Sequence, residues 1–285
     1  MRNKIRLGLI VLAMAMNGVA GQAETELGVI LKKSAAYCER LRVAAFHCIC
    51  KEHVAEVIKD VKGRRTKKTY VYDYQLMGRA GQAEETRTLL QVNGVDQEPL
   101  KDVALQTEFY SHLSVYAPVF LLARENQGQY RYQLLKKERL KGVRTWVLDV
   151  EPAAGEPGVR MHGRVWIDPK DFSVLCIEVN PMALGGYQKT RDKARSWGAE
   201  ASITDTHWYE VRHDGLRFPS RTEFHEKYLF DVYNPIAPES FVLGRFMMGQ
   251  SRNGWTWNRS TTTFIYQGYH FFQVQMEVSE RVLEK

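Results

Sequence analysis

The sequence predicts a mainly β fold with helices (α+β): a curved antiparallel sheet or partial barrel of about 10–11 strands, led by one long helix. Three observations predict it. A single helical-period segment lies near the start. From about Phe46 onward the apolar period becomes two. Turn-forming pairs then recur at short intervals almost to the end.

The elements follow in order. Leu27, Ile30, Leu31, Cys38, Leu41 and Ala45 recur at helical spacing, with Lys32, Lys33, Glu39 and Arg40 on the other face and Thr25 as N-cap. Tyr70, Tyr72, Tyr74 and Leu76 alternate with Val71, Asp73 and Gln75. A glycine turn leads to a strand from Glu85 to Val92, ended by Asn93-Gly94. Ser114 to Arg124 reads as helix. Tyr130–Lys137 pairs with Val143–Val150 through Lys141-Gly142, and Val159–Ile167 with Phe172–Val179 through Asp168-Pro169-Lys170-Asp171. After Gly185-Gly186, Tyr187–Trp197 reads as a short polar helix. Two further hairpins are expected: Ala201–Val211 with Arg217–Lys227 around His213-Asp214-Gly215, and Ser260–Tyr266 with Tyr269–Val278 around Gln267-Gly268. No segment repeats as a unit, which excludes a propeller or solenoid.

One stretch breaks the meander. Residues 228–257 are too long for a turn and carry Phe230, Tyr233, Phe241, Phe246, Met247, Met248, Trp255 and Trp257. Pro238 opens a candidate helix with Phe241, Phe246 and Met247 on its apolar side. The stretch either packs on the sheet or forms a lid over an apolar cleft.

The N-terminus has the three parts of an export signal. Arg2, Lys4 and Arg6 precede the apolar run Leu7–Met16, and Ala20 and Ala23 are candidate cleavage points. The run is short for a membrane span. Residues 1–23 are therefore expected to be removed, leaving residues 24–285 as one soluble periplasmic domain. Loss of Arg2, Lys4 and Arg6 lowers the formal net charge from +7 to +4. That charge and the lack of a long basic arm argue against nucleic acid. The densest cationic cluster, Lys62 to Lys68, reads as a solvated hairpin turn or as a contact for an anionic membrane surface or acidic partner. Export makes a disulfide plausible, with Cys38–Cys50 preferred over Cys38–Cys48. Cys176, in an apolar strand, is expected to be a buried free thiol.

Catalytic and metal signals are weak. His207, His213 and His225 flank one turn, and His213 lies in it, so convergence on a metal is not expected. Asp168 and Asp171 could act as an acid–base pair, but a hairpin turn also demands them. Ser111-His112 has no flanking acid. No nucleophile elbow, zinc-protease motif or phosphate loop occurs. No cofactor, metal or enzymatic activity is expected.

Tyr70 to Leu76 followed by Glu85 to Leu90, then Gly163 to Phe172, Gly215 to Ser220 and Tyr266 to Phe272, resemble exported bacterial outer-membrane lipoprotein-sorting proteins. Those are similar to the lipoprotein carriers LolA and LolB. The resemblance covers most of the chain after the signal, and its motifs are structural. It implies a half-open antiparallel barrel wrapped around a helix, with a concave apolar side that holds the acyl chains of a lipoprotein or lipid. Tyr72, Tyr74, Leu76 and Tyr132 would wall that cavity. Arg87 is the candidate, by strand position alone, for the carriers' functional arginine. An inner- or outer-membrane protein would be a partner. The rival readings are an envelope-stress sensor or protein-interaction module using the same concave face, and an exported hydrolase.

Overall fold

The computed structural model describes residues 25–79, 82–101, 105–107, 113–153, 161–231, 249–251 and 254–272. The expected export signal and the lid residues Phe241, Phe246 and Met247 lie outside the described residues, as does Ser111-His112.

Helix α1 (Glu26–Ala45) begins where the sequence places it, and the Thr25 hydroxyl accepts the Gly28 N–H at 3.2 Å. Its buried stripe runs through Ile30, Ala35, Tyr37, Cys38, Leu41 and Ala45. The strands that follow are β1 (His47–Lys59), β2 (Arg65–Arg79), β3 (Gln82–Val92) and β4 (Val95–Lys101). Helices α2 (Ala117–Leu122) and α3 (Arg124–Gln127) lead into β5 (Tyr130–Leu140), β6 (Val143–Pro152), β7 (Gly163–Ile167) and β8 (Val174–Val179). Then come α4 (Tyr187–Ser196), β9 (Ala199–Trp208), β10 (Val211–His213), β11 (Leu216–Phe218), β12 (Arg221–Asp231), β13 (Gly249–Ser251) and β14 (Gly254–Phe271).

Among the described residues, twelve strands form one antiparallel sheet in the order β4-β3-β2-β1-β14-β12-β9-β8-β7-β6-β5, with β13 on the start of β14. The end strands β4 and β5 do not pair with each other, so the sheet is an open half-barrel rather than a closed one. α1 lies against its inner side. Glu26 at one end of α1 accepts from Trp146 of β6, and Phe46 at the other meets Gly78 of β2, where a Cβ would come within 2.7 Å of the Phe46 ring. A helix of 20 residues, about 30 Å long, therefore reaches across most of the sheet.

Local turn chemistry accounts for several hairpins. Asn93-Gly94, Lys141-Gly142 and Asp214-Gly215 all take positive φ at both positions, the twist that two-residue hairpins need. The Asp168–Asp171 turn is closed by its own carboxylates: Asp168 accepts from the Lys170 N–H and Asp171 from the Ser173 N–H, both at 3.0 Å.

Three expectations are corrected. β14 is one continuous strand, not a hairpin at Gln267-Gly268. Its pairing with β1 slips there, because Ile49 faces His270 whereas Lys51 faces Gln267. Gly268, at φ 61°, supplies the extra left-handed residue of a β-bulge. Second, β9 and β12 do pair, but the His213-Asp214-Gly215 turn belongs to a separate two-stranded sheet, β10–β11. Leu216 and Phe218 pull that ribbon into the core. Third, no disulfide forms: Cys38, Cys48, Cys50 and Cys176 are all free and buried. The helix aims Cys38 at α2, where its thiol donates to the Pro118 carbonyl, while Cys48 donates to Ala45. Burial pushes all four thiols up, Cys48 and Cys176 to about 12.

Candidate functional site

The inner face of the sheet is packed, and it is polar as well as apolar. Along β1 the inward positions are Cys48, Cys50, Glu52, Val54 and Glu56. Both glutamates are essentially fully buried. A buried carboxylate requires partners, and each has them. Arg87 of β3 grips Glu52 with Nε at 2.7 Å and Nη2 at 3.1 Å, and reaches Glu85 with Nη1 at 2.6 Å. Its guanidinium also lies over the Tyr74 ring, 5.3 Å from the centroid. Burial opposes the charge on Arg87, but the two glutamates override it and hold the proton more firmly than usual. Burial pushes the Glu52 carboxyl up against the pull of Arg87.

Glu56 and Glu85 serve a second purpose. Glu56 accepts from the Gln106 N–H, the Thr107 N–H and the Thr107 hydroxyl, and also from Tyr70. Glu85 accepts from the Leu113 N–H at 2.8 Å, and Tyr209 donates to the Ser114 carbonyl at 2.8 Å. The two described ends of the connection between β4 and α2 are thus tied down across the inside of the sheet.

Tyr72, Tyr74 and Leu76 are at most 2 % exposed, within one cluster that also holds the α1 stripe and α2. Arg87 is locked in its ion pairs. Tyr132, half-buried on β5, donates to the Leu121 carbonyl at 2.7 Å. At these positions the protein's own groups fill the interior, and the open space lies elsewhere. The histidines do not converge. His207 sits inside beside Asp205 (3.0 Å), His213 is in the β10–β11 ribbon, and His225 lies on the other face of β12 near Thr261. Asp168 is buried for a structural reason: it takes Arg217 of β11 at 3.3 Å, while Arg217 Nε donates to Ser173 at 2.8 Å. The Arg217 N–H also donates to Tyr37 of α1. This arginine pins the β10–β11 ribbon to both the β7–β8 turn and α1.

Among the described residues, a cleft of about 900 Å³ opens at the end of the half-barrel. Its walls come from three places: Val43 and Ala44 at the end of α1, Val211 to Asp214 with Leu216 of the ribbon, and Tyr266 to Phe272 at the end of β14. The floor is aromatic. The His213 ring lies parallel to Phe271 at 3.9 Å, with Phe218 at 4.7 Å and Tyr269 at 5.8 Å from the same ring. Val43 and Phe272 remain 65 % and 54 % exposed at the mouth. Arg212, His213, Asp214 and His270 make a polar rim. Tyr266 links the cleft to the expected wall, packing edge-on against Tyr74 at 5.9 Å. The size suits a small-molecule or lipid site, since such cavities span about 300–1,000 Å³.

The sequence reading missed Glu52, Glu56, Arg217 and the cleft itself. The glutamates did leave a signal: they share the period of Cys48, Cys50 and Val54. Arg217 and the cleft left none, because their partners come from distant segments.

No family model matches the chain, and no curated protein matches it. Solved structures do resemble it. An outer-membrane lipoprotein-sorting protein domain from Vibrio parahaemolyticus is 11% identical with a TM-score of 0.42, covering 88% of this chain and 95% of that one. A DUF1329 family protein from Desulfovibrio piger is 11% identical with a TM-score of 0.39, covering 85% and 92%. A LolA superfamily protein from Nitrosomonas europaea is 13% identical with a TM-score of 0.36, covering 87% and 94%.

Proposed function

We propose that this protein is a non-enzymatic binder of acyl chains, from a lipid or an acylated lipoprotein, and that the chain lies in the cleft at the end of the half-barrel. The observation that carries the reading is the cleft of about 900 Å³ with an aromatic floor and exposed Val43 and Phe272 at its mouth. Each methylene taken from water into such a site gains about 0.8 kcal/mol, so an acyl chain needs no covalent step to be held. The polar rim suits a head group that stays wet. On this reading Tyr72, Tyr74 and Leu76 back the cleft floor through Tyr266 rather than touch the chain. The protein would work in the periplasm, after export, as part of lipoprotein or lipid sorting. Among the described residues, no helix is long and apolar enough to cross a membrane.

Native mass spectrometry of protein extracted gently from the cell envelope tests this. The expected result is an adduct of lipid or acyl-peptide mass that is depleted in Phe272→Asp. A clean unliganded mass, or an adduct equally abundant in that variant, would refute the assignment.

A further inference from the structure

The opposite end of the sheet carries a surface that acyl binding does not explain. The turn between β1 and β2 and helix α4 both lie there. Residues 59–68 contain six Lys or Arg against Asp60, and α4 contains Lys189, Arg191, Lys193 and Arg195 against Asp192. That is ten cations and two carboxylates in 20 residues, while the whole chain carries a net +7. The excess charge of the protein is therefore concentrated in these two elements.

They form one surface. Val61 of the turn packs into a cluster with Ala194 of α4, Ala199, Ala201, Tyr228 and Phe230. The Trp257 indole donates to the Lys59 carbonyl at 3.2 Å and lies 6.3 Å from the Trp197 ring. Lys193 caps Trp197 at 5.2 Å. Two half-buried tryptophans thus sit between the two cationic elements. The carboxylates neutralise little: Asp60 pairs with Arg64, and Asp192 with Arg195. Lys62, Arg65, Lys67, Lys189 and Lys193 are all exposed.

We propose that this basic end docks the protein on an anionic phospholipid surface. A cluster of Lys and Arg flanked by tryptophan matches such a surface, because cations gain from the negative head-group layer and indoles favour the interface. β1 runs from Cys48, which pairs with Phe271 of the cleft, to Lys59 at the basic turn, so the two sites lie about 40 Å apart. A docked protein would present its cleft away from the bilayer. Because the sites are separate, docking and acyl binding can fail independently.

The test is co-sedimentation of the purified protein with vesicles of phosphatidylcholine alone or with phosphatidylglycerol added. Binding is expected only to the anionic vesicles, and it should fall steeply with salt. Each neutralised cation should weaken it about fivefold. The quadruple variant Lys62→Gln, Arg65→Gln, Lys189→Gln, Lys193→Gln should therefore lose it, with circular dichroism unchanged. A control with the same charge change elsewhere, Arg124→Gln, Arg131→Gln, Lys136→Gln, Arg139→Gln, should bind nearly as the parent does. Equal binding to both vesicles, or equal loss in the control, would overturn the proposal. So would binding to soluble polyglutamate without binding to vesicles, which would point to an acidic protein partner.

Discussion

Arg87→Ala should be among the most damaging single changes in this protein. The side chain is 10 % exposed and makes at least three charge-assisted hydrogen bonds, two to Glu52 and one to Glu85. Removing it leaves Glu52 wholly buried and facing Glu85 with no cation between them. Breaking a buried pair in this way costs about 3–5 kcal/mol, mostly from the stranded charge. The stranded charge also predicts a pH dependence. Burial already holds the Glu52 carboxyl above the ordinary carboxylate range, and losing Arg87 raises it further. A group raised in the folded state contributes its stability below the unfolded value and loses it as pH rises through the folded one. The deficit of Arg87→Ala relative to the parent should therefore grow as pH rises above the ordinary carboxylate range. Adding Glu52→Gln removes one stranded charge and should recover at least about 1 kcal/mol. Urea denaturation at several pH values measures all three effects. A deficit below about 1 kcal/mol, or one that does not grow with pH, would refute the account of Arg87 as the neutraliser of a buried carboxylate.

Other outcomes follow from the same structure. Gly163→Ala should destabilise by at least about 3 kcal/mol by calorimetry, because φ is 147° and a Cβ would lie 2.1 Å from the Glu178 carbonyl oxygen. Gly268→Ala, at a bulge with open space around it, should cost only about 1–2 kcal/mol. The four thiols should resist alkylation in the native protein at mildly alkaline pH and label fully after denaturation; rapid native labelling of Cys38 would contradict its burial. Tyr74, Tyr209 and Tyr266, held well above 10.0 by burial, should ionise only as the protein unfolds. Their neutral form stabilises the fold below pH 10, so ultraviolet titration should show a late tyrosinate step coincident with loss of circular dichroism. Phe272→Asp should weaken acyl-chain binding about tenfold, since roughly half of the ring remains to be covered by ligand.

What could be read from the chain alone was local. Thr25 caps α1 because a threonine hydroxyl one turn ahead of an apolar stripe meets a free N–H. Asn93-Gly94 and Lys141-Gly142 make tight turns because both residues tolerate positive φ there. The tyrosines of β2 face inward because a strand repeats every two residues. These rules need no knowledge of distant segments.

Tertiary structure decided the rest. Gly268 looked like a turn, since a glycine between aromatic runs suits a hairpin or a bulge equally; only pairing with β1 across its whole length selects the bulge. Cys38 and Cys50 lie close in sequence, yet one thiol faces α2 and the other faces inward from β1, because a helix and a strand point their side chains by different periods. Arg87 finds Glu52 across 35 positions, and Arg217 finds Asp168 across 49. The cleft is assembled from α1, the β10–β11 ribbon and the end of β14. Periodicity along the chain determines which face a side chain takes. Which groups meet on that face, and where space is left between them, depends on strand order and register, which only the folded molecule specifies.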